Sequence, residues 1–581
     1  MKRRGAAIIL SVIIAFLSLN SLKSEAENNY TFEVYGGLWK DVEDFREDSG
    51  NTIIDCSDYY TQKQKASSDI PSCFDITTNE ETKKFFPPIG NQSTINSCVG
   101  WATTYYQYTY EVNRYKNEPT TEDNIYSPSW TYNYINGGSN SPTYIDDGYA
   151  VLHNQGAMKL VDYPHPTNYS QYSFNWSTDI PKMIDALEYR TTVETYRLAD
   201  TSSLDMVKER IANGNVAVVW TNLYGWAVRE NDSGENVIVR SEGNQNGHFM
   251  TVVGYDDDFQ VTVNGVTLKG AFKLANSMGT KWSTGNNGYI WVAYDALDAE
   301  SSYGTEWQEG LGYKERGMAF ASRGTNYFHF INVHKCNLYM IGQIDFVSKD
   351  PWNLTLYADA SGSAKTKKWS SSIGSPLSVT GKYSLVFDYF KAGSYYDMNN
   401  YLSSNWTVKL TGNPNYSTYN IYTRILDSKA NQVSPQSPYY GKIDGETDSY
   451  SKTTSINLAK GRVSAYDNNE ITMEDVDMVK NYISNNLQFS KLQQFLADYN
   501  NDGNVDMLDV ELMNRTLELN LKGDINSDGE FNIADVATLQ KWLLGVSDVT
   551  LADWKAADFC KDDRLDVFDL CLMKRELIYQ S

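Results

Sequence analysis

An acidic twelve-residue pattern that recurs near the C-terminus constrains the fold of this chain more than any other feature. The segment 498–509 has Asp or Asn at positions 1, 3, 5, 9 and 12 and Gly at position 6, and 524–535 repeats this pattern in register. A third copy begins at Asp558 and a fainter one at Ser464. The spacing of the four starts predicts two tandem units, each a pair of loop-and-helix elements.

Loops of this spacing gather oxygen atoms around one point, as Ca²⁺ requires. Gly at position 6 permits the sharp turn, and an aliphatic or aromatic residue stands at position 8 of all four copies. We therefore predict calcium sites in three copies. Their ligand residues are Asp498, Asn500, Asp502, Asn504, Asp506 and Asp509; Asp524, Asn526, Asp528, Glu530, Asn532 and Asp535; and Asp558, Asp562, Arg564 (through its carbonyl), Asp566 and Asp569.

Two of the four loops have residues that suit calcium less well. Cys560 replaces an oxygen ligand in the third copy, and sulfur suits a hard cation poorly, so we expect a weaker site there. In 464–475 the first ligand positions hold Ser464, Tyr466 and Asn468, and we predict no tight calcium site.

Length and charge indicate a multi-domain protein and disfavour one kind of partner. With 581 residues and 41% hydrophobic content, the chain is long enough for several domains. Its net charge is −23, and 461–581 alone holds 23 acidic and 11 basic residues. Because it has no block rich in Lys and Arg, a nucleic-acid partner is disfavoured.

The N-terminus has the pattern of an export signal. Basic residues 2–4 precede an apolar run, 6–19, that is too short to span a bilayer, and Ala26 suits cleavage. We predict a signal peptide over 1–26, a secreted protein and no membrane span. Residues 27–69 are then an N-terminal extension, either a pro-segment or a strap.

The rest of the chain predicts a multi-domain protein. Residues 70–323 mix a helix-like stretch with β-like runs, which predicts an α+β domain. Short alternating segments over 326–426 predict an antiparallel β-sandwich accessory domain. We interpret 427–460 as a linker, and 461–519 and 520–581 as the two tandem all-α units.

One cysteine has the setting of a nucleophile. Gln92 stands six residues before Cys98, which opens a predicted helix where backbone N–H groups favour a thiolate. His248 and Asn276 follow in that order. In such a triad the cysteine attacks, the histidine exchanges the proton and the asparagine orients the ring, while Gln92 donates to the oxyanion.

These residues resemble the catalytic set of papain-like cysteine peptidases, and the resemblance covers about 70–320. Gly137 and Gly138 resemble the glycine stretch whose backbone holds the substrate. The resemblance implies a papain-like fold, an endopeptidase acting on proteins or peptides, and no cofactor for catalysis.

Departures from that family leave alternatives open. Ile95 replaces a cysteine that usually forms a disulfide, Val99 replaces a tryptophan, and Met278 stands where a tryptophan usually shields the His–Asn bond. A catalytically impaired papain-like domain that binds or regulates other proteins is the alternative. A transglutaminase-like acyl transferase would normally use Asp in place of Asn276. Cys56 and Cys73 are candidates for a bridge.

The acidic loops resemble dockerins, the calcium-dependent paired F-hand modules that attach secreted enzymes to cohesin domains of cellulosome scaffolds. The resemblance is strong over 520–581, and 461–519 resembles a second, partly degenerate unit. It implies a cohesin domain of a scaffoldin as partner, and an extracellular location on a cellulosome or cell-surface scaffold. The positions that contact cohesin in that family are here Ile533, Ala534 and Lys541, and Val567, Phe568 and Arg575.

Overall fold

The computed structural model describes most of the chain beyond residue 69. The described residues are 37–38, 51–55, 70–136, 139–166, 177–198, 204–222, 226–241, 247–263, 265–282, 284–297, 321–322, 325–348, 354–360, 367–371, 381–411, 417–444, 448–466, 470–526, 528 and 530–580. The predicted signal peptide, Cys56, Gly137 and Gly138 lie outside them. Within the described ranges, no helix combines the length and apolar character needed to cross a bilayer.

These residues divide into two compact units. The first contains the described residues up to 396 together with 406–425 and 436–453. The second contains 397–405, 426–435 and the described residues from 454 onward. Two short segments that precede the acidic tail therefore group with it.

The first unit is built on a large mixed sheet. Its strands are β2 (Asn51–Asp55), β3 (Cys73–Asp75), β5 (Tyr189–Leu198), β6 (Ala217–Asn222), β7 (Trp226–Glu230), β8 (Asn236–Ser241), β9 (Gly247–Val263), β10 (Val266–Ala275), β11 (Tyr289–Ala293), β12 (Ala321–Ser322) and β13 (Thr325–Lys335). Nine follow the order β2-β5-β13-β6-β9-β10-β11-β8-β7, while β3 pairs with β9 and β12 with β13. Separately, β1 (Gly37–Leu38) runs parallel to β4 (Thr143–Tyr144).

Helices of the first unit pack against this sheet. They are α1 (Cys98–Gly100), continued by a π-helical segment Trp101–Tyr108 and by α2 (Thr109–Lys116), then α3 (Pro128–Ile135), α4 (Ile145–Gln155), α5 (Ile180–Ala186) and α6 (Leu204–Ala212). Every residue of 247–255 in β9 is buried, as expected for a central strand covered on both faces. The helix that begins at Cys98 lies against this strand.

The strand β13 corrects one predicted boundary. The sequence placed 326–335 in the accessory domain, but β13 pairs with β5 and β6. Its buried residues Phe328 and Phe330 join the core of the large sheet. Alternating hydrophobicity can mark a strand, but it does not reveal which sheet the strand joins.

The next strands form two four-stranded sheets. They are β14 (Ile341–Ser348), β15 (Leu354–Ala360), β16 (Lys367–Ser371), β17 (Gly381–Asp388), β18 (Ser403–Thr411), β19 (Ser417–Leu426), β20 (Tyr440–Asp444) and β21 (Ser449–Asn457). The orders are β17-β14-β19-β20 and β16-β15-β18-β21. The predicted linker 427–460 is therefore wrong in part: it contains β20 and β21, whose Ile443 and Tyr450 are buried. Its polar composition reflects strands with one exposed face.

A buried ion pair ties the sheet β17-β14-β19-β20 to the large sheet within the first unit. Arg190 on β5 and Asp388 on β17 are 1% and 0% exposed and form a direct ion pair. The same guanidinium donates to Phe390 O at 2.8 Å and to Cys336 Sγ at 3.1 Å. Cys336 is thus one of its three acceptors.

The acidic tail is helical, as predicted. Its helices are α7 (Met473–Ile483), α8 (Lys491–Ala497), α9 (Met507–Leu521), α10 (Ile533–Leu543), α11 (Trp554–Ala557) and α12 (Val567–Gln580). A core of Ile525, Val536, Leu539, Ala557, Leu570 and Met573 holds the last three together. The position-8 residues Phe531 and Leu565 pack against this core, which explains their apolar character.

Candidate active site

Cys98 lies at the first position of a buried helix, as the sequence predicted, but its environment differs from the expectation. The residue is 0% exposed. Burial raises the pKa of the thiol to about 11, and backbone hydrogen bonds from Phe249, Val99 and Cys98 itself oppose this only partly. The expectation that the helix start gives a low thiol pKa is therefore wrong for this arrangement, because desolvation outweighs the backbone N–H groups.

His248 and Asn276 are hydrogen-bonded to each other. The His248 Nε2 atom lies 2.8 Å from Asn276 Oδ1. The backbone N–H of Ser277 donates to the same Asn276 atom at 2.8 Å, which identifies that atom as the carbonyl oxygen and assigns the ring proton to Nε2. The Nδ1 atom of His248 is then the acceptor available to a neighbouring thiol.

This hydrogen bond is dry although Met278 is not a tryptophan. His248 is 2% and Asn276 0% exposed, whereas Met278 is only partly buried. Burial lowers the pKa of His248 to about 4, and the bond to Asn276 opposes that shift. The ring is therefore neutral at pH 7 and suited to accept a proton.

Gln92 is held beside the same asparagine by a residue that the sequence did not single out. Ser277 Oγ donates to Gln92 Oε1 at 2.6 Å, and Gln92 N donates to Ser277 O at 2.7 Å. The Gln92 Nε2 atom donates to Ile95 O at 2.9 Å. The side-chain amide is thus fixed by its oxygen, and its nitrogen retains a second N–H for an oxyanion.

Tyr106 joins three parts of the site. Its hydroxyl donates to Asn276 O at 2.8 Å and accepts from Gly90 N at 3.0 Å. The helix that carries Cys98 is thereby connected to the loop before Gln92 and to the strand end that carries Asn276. No local sequence pattern predicts such a contact, since Tyr106 and Asn276 are far apart in the chain.

Two asparagines connect the loop before Cys98 to the loop after the predicted substrate glycines. Asn96 N donates to Asn140 Oδ1 at 2.7 Å, and Asn96 Nδ2 donates to Asn140 O at 2.8 Å. Asn140 Nδ2 also donates to Thr94 O at 3.1 Å. These bonds lie on both sides of Ile95, where papain-like peptidases usually have a cysteine, so amide hydrogen bonds hold a loop that lacks that cysteine's disulfide.

The four remaining histidines have hydrogen-bond partners. His153 Nδ1 contacts Thr191 O at 2.7 Å, and His329 Nδ1 contacts Thr195 Oγ1 at 2.9 Å. The other two contact hydroxyls: His165 with Ser129 and His334 with Thr192. Among the described cysteines, Cys73 is exposed and not disulfide-bonded.

A piece of the N-terminal extension lies next to this site. The strand β1 pairs with Thr143–Tyr144, a few residues beyond the predicted substrate glycines, and also lies beside β9, the strand that contains His248. Further along, β2 pairs in parallel with β5. The extension thus contributes a strand to the large sheet and another beside β9.

The three predicted calcium loops have a common backbone frame. In 498–509, Asp509 accepts from the backbone N–H groups of Tyr499, Asn500 and Asp506 at 2.8–3.1 Å. The aspartate at position 12 accepts from positions 2, 3 and 9 in 524–535, and from 3 and 9 in 558–569. The first two loops have side-chain oxygen atoms at every predicted side-chain ligand position. Their residues therefore fit Ca²⁺.

The loop 558–569 keeps this frame with a poorer ligand set. Asp563 replaces the glycine at position 6 and takes a positive φ of 57°, which few non-glycine residues adopt. Desolvation and the neighbouring Asp569 raise the pKa of the Cys560 thiol, so it stays neutral. In the described residues, no group of three or more His, Cys, Asp or Glu side chains is gathered as a metal cluster; the calcium sites stay predictions.

Comparison with known proteins identifies the acidic tail. The family model described as the dockerin type I domain matches residues 466–518 and 522–578, so the C-terminus carries two dockerin repeats. No curated protein matches the chain.

Solved structures similar to the chain include two zymogens. One is digestive procathepsin L 3 of the Tenebrio molitor larval midgut, with 14% identity, covering 46% of this chain and 71% of that one, at a TM-score of 0.29. Another is procathepsin B S9 from Trypanosoma congolense, with 17% identity, covering 39% and 73%, at a TM-score of 0.27.

Proposed function

We propose that residues 70–323, together with β13, form a secreted cysteine endopeptidase of the papain-like type, and that the tandem dockerin units anchor it to a cohesin domain of a scaffoldin in a calcium-dependent manner. The β-rich region after it is proposed to be a β-sandwich accessory domain. The observation that supports the peptidase most is the buried His248–Asn276 hydrogen bond, with Gln92 fixed through Ser277 and Cys98 at the helix start against the same strand.

These groups suffice for acyl transfer. The Cys98 sulfur attacks the substrate carbonyl carbon while its proton passes to Nδ1 of His248. The Gln92 side-chain N–H and the Cys98 backbone N–H donate to the oxyanion. As the C–N bond breaks, the imidazolium returns its proton to the leaving amine. Water then hydrolyses the thioester with His248 again as base, and no cofactor is needed.

The N-terminal extension is proposed to be a pro-segment. The complete burial of Cys98 and its raised thiol pKa describe a resting form unsuited to attack. The strand β1 lies beside the strand of His248 and next to the segment that follows the substrate glycines. Proteolytic removal of residues 27–69 should therefore raise the activity towards peptides.

Substitution of the nucleophile tests the peptidase proposal. Cys98→Ala should abolish hydrolysis of a peptide library and labelling by an epoxide-type cysteine-protease probe, both measured after removal of the pro-segment. Cys73→Ala is the matched control, because Cys73 is an exposed thiol of the same domain and its loss should change neither readout. Equal hydrolysis by the Cys98→Ala variant would contradict the proposal.

The alternative is an impaired papain-like domain that binds other proteins, which Met278 and Val99 suggested. Active-site titration separates the two. An intact site should consume close to one equivalent of the probe per processed chain, whereas an impaired one should consume none while its fold is retained. The dryness of the His248–Asn276 bond favours the intact site.

Calcium-dependent docking has its own support. The residues at loop positions 10 and 11 of the last unit include exposed apolar side chains, with Ile533 70% and Phe568 67% exposed. These are positions that contact cohesin in dockerins, so exposed apolar side chains there support docking. EDTA should abolish binding to an immobilised cohesin and leave turnover of a small peptide unchanged. Binding that persists in EDTA would overturn the docking proposal without affecting the peptidase.

A further inference from the structure

The first loop of the tail begins two residues earlier than its sequence pattern indicates. Asp475 Oδ1 accepts from Val463 N at 2.8 Å and Ser464 N at 2.7 Å, and Oδ2 accepts from Thr472 N at 2.8 Å. In the next loop the corresponding donors to Asp509 are positions 2, 3 and 9. Val463 is therefore at position 2, and position 1 is Arg462. The loop 462–475 is two residues longer than the others.

The glycines that precede the first loop of each dockerin unit support this register. Gly461 N donates to Leu496 O at 2.7 Å, and Gly523 N donates to Ala556 O at 2.8 Å. Both glycines have positive φ angles, 84° and 101°. Because Gly523 directly precedes Asp524, the matching glycine places Arg462 where Asp524 stands.

The side chain of Arg462 points into its own loop. Its Nη1 atom donates to Asp475 Oδ2 at 2.7 Å, to Ser464 Oγ at 2.6 Å and to Thr472 Oγ1 at 3.4 Å. These acceptors stand at positions 12, 3 and 9. Position 9 supplies a predicted metal ligand in the other three loops, position 3 supplies one in 498–509 and 524–535, and position 12 supplies the shared aspartate.

This arrangement does not fit Ca²⁺. Position 1 contributes a carboxylate in the other three loops and a guanidinium here, and the ion pair with Asp475 is buried, at 8% and 0% side-chain exposure. Tyr466, further along the loop, directs its hydroxyl to Asp427 Oδ2 at 2.9 Å instead. A divalent cation would have to displace a fixed positive charge from oxygen atoms that are already bonded.

We propose that the Arg462 guanidinium is a permanent internal cation at the place that calcium takes in the other loops, so that loop 462–475 folds without metal. The four acidic loops then bind at most three calcium ions. This inference is independent of the peptidase, and it depends on the proposed calcium use of the other loops only for that count.

Native mass spectrometry of the full chain, with calcium in excess, tests the count. Asp475→Asn should leave the number of bound calcium ions unchanged. The matched control Asp509→Asn, at the same loop position in the same dockerin unit, should lower the number of bound calcium ions by one. A loss of one ion in Asp475→Asn would overturn the proposal. A count of zero on the unaltered chain would instead overturn the calcium part of the proposed function.

Hydrogen exchange measured by mass spectrometry on the full chain in EDTA tests the internal cation directly. Backbone amides of 461–476 should exchange at least tenfold more slowly than those of 523–537, the equivalent loop with Asp at position 1. Arg462→Met should remove that difference, whereas Arg515→Met, which alters an exposed arginine of the same module, should preserve it. Equal exchange of the two loops in the unaltered chain, or a difference that survives Arg462→Met, would overturn the proposal.

Discussion

The burial of Cys98 makes a quantitative prediction about its reactivity in the unprocessed chain. The pKa of the thiol rises from 9.0 to about 11, and the thiolate is the form that reacts with alkylating reagents. A rise of two pKa units lowers the thiolate fraction at pH 7 by about 100-fold, equivalent to about 3 kcal/mol. Since His248 is neutral at pH 7, with a pKa of about 4, it supplies no charge to offset this.

Alkylation by iodoacetamide, followed at each cysteine by peptide mass spectrometry, measures this effect. Cys98 should react at least about 100-fold more slowly than the exposed Cys73 at pH 7, and its rate should keep rising up to pH 10. Limited access would slow the reaction further, in the same direction. After removal of the pro-segment, Cys98 should become the faster of the two.

Cys98 alkylation faster than that of Cys73 in the intact chain at pH 6–7 would refute this reasoning. It would mean that the resting site already holds a thiolate and an imidazolium, and that desolvation does not control the pair. Cys98→Ala identifies the peptide signal that belongs to this thiol and serves as the blank.

Three further outcomes are expected. Asp388→Ala should lower the free energy of unfolding of the first unit by about 3–5 kcal/mol in denaturant titrations, because it leaves the Arg190 guanidinium buried without its charge partner; a loss below about 1 kcal/mol would refute this. Asn140→Ala removes two side-chain hydrogen bonds that hold the loop before Cys98, so kcat should fall about 10-fold with KM nearly unchanged. The control Asn140→Asp should recover part of the lost kcat. An unchanged kcat in Asn140→Ala would contradict a positioning role for Asn140. Burial lowers the pKa of His329 to about 3. The neutral ring therefore stabilises the folded state above the unfolded pKa of about 6.5, and this contribution is lost as the pH falls towards 3. His329→Gln should reduce the fall in the free energy of unfolding between pH 7 and 5 by about 2 kcal/mol, and an unchanged pH dependence of that free energy would exclude His329 as its cause.

The sequence predicted those parts of the molecule that a local pattern encodes. The acidic loops have a fixed spacing, and the structure forms their backbone frame at the predicted aspartates. The helix at Cys98 and the strand that begins next to His248 were also expected, because runs of apolar residues of the right period mark them.

What the sequence missed depends on contacts between distant segments. Ser277 and Tyr106 hold Gln92 and Asn276 in place, yet neither belongs to a motif, since their partners are about 170 or more residues away. The same holds for β13, which alternates like a strand of the following sheets but pairs with β5. The thiol pKa was misjudged for a related reason: helix position can be inferred locally, whereas burial depends on the whole fold.

In the four acidic loops, formation of the backbone frame and calcium binding are separate properties, although one sequence pattern suggests both. The shared aspartate at position 12 organises the backbone of each loop by accepting from its own N–H groups, and it does so even in 462–475, where no calcium is expected. The presence of this backbone frame therefore does not indicate whether a loop binds a metal ion. The residue at position 1 decides which cation the frame surrounds, because it supplies either a carboxylate, as Asp498 does, or the cation itself, as Arg462 does. On this basis, a loop of this type that keeps its position-12 aspartate but carries arginine at position 1 should fold in EDTA.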